Sequence, residues 1–176
     1  MDLIVSKLGD IWQASHGDKT WRCAVGRGGI QRIKTEGDGV SPVGCWPIRR
    51  VFYRADRLAT APAPHLPCTA IDRQDGWCDA PDHPHYNRLI RLPFAASHEE
   101  MWREDALYDI VVVLGQNDEP VVPHGGSAIF LHVAGPQYCP TEGCAALSKA
   151  DLLEFLAQAG PGTRLCFLGA KQDEPQ

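Results

Sequence analysis

The chain has 176 residues, 44% of them apolar and 22% charged, with a net charge of −5. That length suits one domain whose core needs no staples, and the composition excludes intrinsic disorder. The acidic balance argues against nucleic-acid binding, because the basic runs, Arg49-Arg50 and Arg54 with Arg57, are short and lie among apolar residues.

Fourteen prolines and seventeen glycines favour short strands and many turns over long helices. Leu3 to Lys7 reads as a strand. Trp12 to Ala14 and Trp21 to Val25 read as strands flanking a turn at Ser15-His16-Gly17-Asp18. Gly26-Arg27-Gly28-Gly29 lacks the spacing of a phosphate loop and is read as a flexible turn. A second turn runs from Gly37 to Gly44, and Cys45 to Tyr53 alternates as a strand. Residues 56–88 are proline-rich and irregular, which in a compact domain marks a functional or mobile stretch. Residues 97–106, with Glu99 and Glu100 behind Ser97, predict a short helix around Met101 and Trp102. Tyr108 to Gly115 is apolar on both faces and predicts a central strand, and Ser127 to Val133 predicts another buried strand.

Ser148 caps a predicted helix through Leu156, with Asp151 completing a capping box and Leu152, Leu153 and Leu156 facing the core. Gly160-Pro161-Gly162 stops it, and Arg164 to Leu168 is a last strand. The expected organisation is one domain over residues 1–170 with a flexible tail at 171–176. Met1 to Lys7 lacks the basic and long apolar regions of a signal peptide. The longest apolar run, Ile110 to Leu114, has a strand's length and not a membrane span's. The expected location is therefore the cytoplasm, with the periplasm as the alternative. Seven cysteines, odd in number and irregular in spacing, argue against a disulfide framework.

The chemistry concentrates between Ile129 and Leu147. His132 ends a buried strand, and Gly143-Cys144 stands at a turn shortly before a helix. A free thiol titrates near ~8.5, and a helix N-terminus or an imidazolium lowers that value. His132 is the candidate base for Cys144. Gly143 allows close backbone approach, and amides around Cys144 are placed for an oxyanion, where one donor is worth roughly 3 kcal/mol. The bland alternatives are a cysteine that is only a small hydrophobe and a satisfied core histidine. His124, beside Gly125-Gly126, is the second candidate base.

In the loop before that segment, Tyr86, Asn87 and Arg88 are candidates for substrate binding, Arg88 by holding a carboxylate. Simple packing and a surface salt bridge are the competing readings. His83, His85, Cys78, Asp79 and Asp82 have no recognised ligand spacing, so zinc is not expected. Cys139 and Cys144 have no matching second pair, so a structural zinc is not expected there, and a regulatory disulfide is the alternative reading.

His132 followed by Thr141-Glu142-Gly143-Cys144 resembles the signature of the L,D-transpeptidase catalytic-domain family, which runs histidine, loop, Ser/Thr-X-Gly-Cys. Ser41-Pro42-Val43-Gly44 resembles the family's Thr-Pro-X-Gly turn. The resemblance implies an α+β, mostly β fold, an antiparallel β-sandwich with a short helix after the nucleophile cysteine. It implies catalysis by Cys144 and His132 with Gly143 at the oxyanion, Thr141 and Glu142 near the substrate, and no cofactor or metal. The implied partner is a peptidoglycan stem peptide or soluble muropeptide, attacked at its L-centred diamino acid to give a thioester.

The sequence departs from the family pattern at Glu142, where histidine is common, at Ala146, near a usual arginine, and in a shortened loop from His132 to Cys144. With no export signal read, the expected activity is a cytoplasmic L,D-carboxypeptidase that releases terminal D-alanine in wall recycling. A periplasmic L,D-transpeptidase, an inactive muropeptide binder and a cysteine hydrolase on unrelated amides are the alternatives.

Overall fold

The computed structural model describes residues 1–169; the tail expected at 171–176 lies outside them. The fold is mostly β with one short helix. Three strands open it, β1 (Leu3–Leu8), β2 (Ile11–His16) and β3 (Lys19–Ala24). β2 and β3 form a hairpin around Gly17, whose φ of 62° suits a two-residue turn. β4 (Ile30–Gln31) and β5 (Ser41–Pro42) are a short parallel pair. β6 (Gly44–Tyr53) is the longest strand, followed by β7 (Cys68–Ala70). β8 (Asp75–Cys78), β9 (Leu89–Arg91) and β10 (His98–Glu100) make a separate three-stranded sheet. β11 (Ile110–Leu114), β12 (Phe130–Val133), β13 (Ala145–Leu147), α1 (Lys149–Leu156) and β14 (Arg164–Phe167) complete it.

The nine-stranded main sheet runs β11-β12-β13-β3-β2-β1-β14-β6-β7, and β11 also pairs with β6. The long β6 makes both contacts: Gly44 to Pro47 pair with β14, and Ile48 to Tyr53 pair with β11. The strands therefore hydrogen-bond around a barrel-like ring, where two stacked sheets were expected. β1–β14, β12–β13 and β6–β7 are parallel, so the sheet is mixed and not purely antiparallel.

Alternation along the strands sorts apolar side chains to two faces. The inner core joins Leu3, Val5, Val51, Val112, Leu131, Leu147 and Leu165 to Leu152, Phe155 and Leu156 of α1. Leu153, expected to face this core, only flanks it and is half-buried. Ser148 Oγ accepts the Asp151 amide at 3.1 Å, the N-cap half of the predicted box. The outer core joins Phe52, Val111, Val113 and Phe130 to Ile71, Trp77, Met101 and Tyr108 from the segment between β7 and β11. That segment is a cover laid over the outer face of β6, β11 and β12.

The helix predicted at 97–106 is absent. His98 to Glu100 pair with β8 instead, and the Met101 amide bonds the Asp75 carbonyl. Arg54 and Arg57 donate to the carbonyls of Arg103, Glu104 and Asp105, so these serve the cover and not a helical ladder. Cys45 and Cys166, in register on β6 and β14, form a disulfide, which corrects the expectation of free thiols at these two positions. No helix among the described residues is long and apolar enough to cross a membrane.

Candidate active site

β12 and β13 run side by side in parallel, with Leu131 opposite Ala145. Cys144, one residue before β13, thus stands beside Phe130. The Phe130 amide donates to Cys144 Sγ at 3.3 Å, and the thiol donates to the Ala128 carbonyl at 3.2 Å. His132 is two residues beyond Phe130 and shares its face; the Tyr108 ring packs against both, with centroids 5.5 Å from His132 and 6.2 Å from Phe130. His132 Nδ1 donates to the Val133 carbonyl at 2.8 Å. Since a carbonyl only accepts, the proton sits on Nδ1 and Nε2 is left as a proton acceptor.

Cys144 is 8% exposed and His132 5%. Burial holds the imidazole down at about 4, and burial followed by the nearby Glu99 carboxylate pushes the thiol up to about 12. The covered pair is therefore neutral. This corrects the expectation of a thiol activated by a helix N-terminus: β13 separates Cys144 from α1, and desolvation dominates. Among the described residues the thiol's hydrogen bonds go to Phe130 and Ala128 rather than to His132.

The turn carrying the cysteine is braced from the N-terminal third of the chain. Ser41 Oγ accepts the Gly26 amide at 3.0 Å and donates to the Gly143 carbonyl at 2.7 Å. A Cβ on Gly26 would fall 2.1 Å from the Gly39 carbonyl oxygen and 2.9 Å from Gly143 Cα. The glycine cluster read as a flexible turn is thus a close-packed support. Gly143 has φ +135°, and a Cβ there would meet the Val40 carbonyl oxygen at 2.9 Å. Thr141 Oγ1 donates to the Cys144 carbonyl (2.7 Å) and accepts the Gly143 amide (3.1 Å), so its role is to shape the turn. Glu142 points to solvent and pairs with Arg27 at 2.9 Å.

None of the loop candidates hydrogen-bonds the thiol. The Tyr86 hydroxyl donates to Glu36 and accepts the Gly126 amide. Asn87 is buried, with φ 55°. Its Oδ1 accepts from Trp77 Nε1 and the Ala128 amide, and its Nδ2 donates to the Gln116 and Asn117 carbonyls. It thereby holds the residue whose carbonyl receives the thiol. Arg88 donates to the Asp118 carbonyl at 2.7 Å and lines a cleft of about 630 Å³ that neither Cys144 nor His132 lines. His124 is exposed and pairs with Asp82, and Cys139 is a free, exposed thiol.

Sequence reasoning missed Tyr108 and Glu99. The Tyr108 hydroxyl donates to Glu99 on β10 at 2.5 Å, joining the cover to the residues around His132. Burial raises the Glu99 carboxyl, and burial with the Glu99 charge raises the Tyr108 phenol. Tyr108 opens the strongest strand signal, but nothing local marks it as a neighbour of a histidine 24 positions later.

The profile of the YkuD family, described as the L,D-transpeptidase catalytic domain, matches residues 4–166. No curated protein and no solved structure matches the chain. The match spans the ring of strands from β1 to β14, the Ser41 brace and the segment from His132 to Cys144, and the chain belongs to the L,D-transpeptidase catalytic-domain family.

Proposed function

We propose that Cys144 is the nucleophile, and His132 the general base and acid, of an acyl transfer on peptidoglycan stem peptides. The observation that carries this reading is the neutral imidazole pinned through Nδ1 to Val133, one strand from the thiol and on the face shared with Phe130. As Cys144 Sγ attacks the carbonyl of the L-centred diamino acid, the thiol proton passes to Nε2. The bond to terminal D-alanine breaks, the imidazolium returns the proton to the leaving amine, and a thioester remains. The Gly143 amide is taken by Thr141, so the Cys144 amide is assigned to the developing oxyanion.

Water is the proposed acceptor, giving an L,D-carboxypeptidase. Cys144 lies 8% exposed beneath the cover, and a thioester formed there leaves room for water sooner than for a second peptide. A second reading, an L,D-transpeptidase in the periplasm, draws on the Cys45–Cys166 disulfide. Such bonds persist in oxidising compartments, which weighs against the cytoplasmic location expected from the N-terminus.

The test is mass spectrometry of the protein with disaccharide-tetrapeptide, with and without a D-amino acid, beside Cys144→Ala. Loss of alanine to water, absent in the variant, is the expected result. Exchange or dimer formation selects the transpeptidase. Binding without turnover in either protein sinks both and leaves an inactive muropeptide binder.

A further inference from the structure

The cleft of about 630 Å³ lies between the β6–β11 pair and the cover. Phe52, Trp77 and Val113 form its floor, and three arginines, Arg49, Arg50 and Arg88, form its rim. Arg49 is neutralised by Asp118, Nε to Oδ2 at 2.7 Å. Arg88 has one nitrogen on the Asp118 backbone carbonyl and meets no carboxylate among the described residues. Arg50 makes no hydrogen bond or ion pair among them, and its guanidinium lies 6.0 Å over the Phe52 ring. Glu119 is the remaining acidic group of the lining. The rim is thus net positive on a chain of net charge −5, and its free guanidinium donors suit a carboxylate. An apolar floor with a few polar groups at the mouth is the usual make-up of a ligand site.

Register ties this cleft to the thiol. Arg50 is opposite Val113, Val113 is opposite Phe130, and Cys144 stands beside Phe130. Four chains at about 4.8 Å spacing place Arg50 and Cys144 in one row roughly 14 Å long, the reach of about four extended residues. Trp77, edge-on to Phe130 with centroids 5.1 Å apart, stands between the two.

We infer that the cleft binds a carboxylate of the peptide whose carbonyl is attacked at Cys144, with Arg50 and Arg88 as its two cationic contacts. The inference rests on the acyl-transfer reading and adds to it a specificity for anionic peptides. It is tested with a matched pair of stem tetrapeptides, free or amidated at the carboxylates off the peptide chain. Binding is followed by calorimetry on full-length Cys144→Ala, and turnover by mass spectrometry on the unmodified protein.

The free acid is expected to bind at least about tenfold more tightly than the amide. Arg50→Gln with Arg88→Gln should bring the two within about twofold, whereas Arg50→Lys with Arg88→Lys keeps part of the preference. Both arginines are exposed, and melting curves of the variants check the fold. An undiminished preference in the double glutamine variant, or none in the parent, would overturn the inference. Product from both peptides with equal KM in every variant would overturn it and leave the chemistry standing. No product from either peptide, with the arginine-dependent preference intact, would sink the acyl-transfer reading and leave a peptide-carboxylate site.

Discussion

His132 is held neutral by its burial, and that has a measurable price in acid. Its pKa is lowered from 6.5 to about 4, so as pH falls the unfolded chain takes up the proton first. The stability it contributes is whole above pH 6.5 and is lost as pH falls towards 4, by roughly 3 kcal/mol. Melting temperatures measured over that window should fall, and His132→Gln should flatten the fall. A slope unchanged by the substitution would refute this assignment. The residues carrying the candidate chemistry were legible because their spacing is local: a strand end, a turn glycine and a cysteine within one segment. Their protonation was not legible, since it depends on Ile71, Trp77 and Met101, which pack on the outer face from far upstream in the chain.

At the scale of elements, two braces decide whether the cysteine turn and the cover keep their places. Ser41→Ala removes the partner of both the Gly26 amide and the Gly143 carbonyl, two groups it reaches inside the protein. Such a loss costs about 1–3 kcal/mol per unsatisfied buried group, so with two groups left unpaired chemical denaturation should show a drop of about 2–6 kcal/mol, with a larger proportional loss of turnover than of peptide binding. Asn87→Ala breaks four hydrogen bonds between Trp77, Ala128 and the Gln116–Asn117 backbone. It should destabilise by about 3 kcal/mol or more and speed hydrogen exchange in β8 and β9; exchange unchanged there would show that the cover is held by something else. Strands with strong alternation or apolar runs, β1, β6, β11 and β12, were readable. The three-stranded sheet of the cover was not, because β9 and β10 are each three residues long and exist only through β8.

Over the whole molecule, the ring closes through β6, and the Cys45–Cys166 bond clamps β6 to β14 across a separation of 121 residues. Loop-closure entropy makes such a link worth about 2–5 kcal/mol. Thermal melts of the oxidised protein, its reduced form and Cys45→Ala should show the last two alike and several degrees below the first; coincident melts of all three would mean that the clamp adds nothing. The mostly-β character and the early meander follow from composition and turn residues. Ring closure does not, because the pairings β11–β6 and β1–β14 join segments about 60 and about 160 residues apart, and neither partner advertises the other.

The covered cysteine has a further consequence, for its life as a reagent. Oxidation and alkylation proceed through the thiolate and require access. A thiol pushed up to about 12 beneath a packed cover offers neither. Peroxide or a small haloacetamide would meet the exposed Cys139 first. The thiol is thereby passivated while the cover stays packed, and on the acyl-transfer reading only a compound that displaces the cover meets the nucleophile.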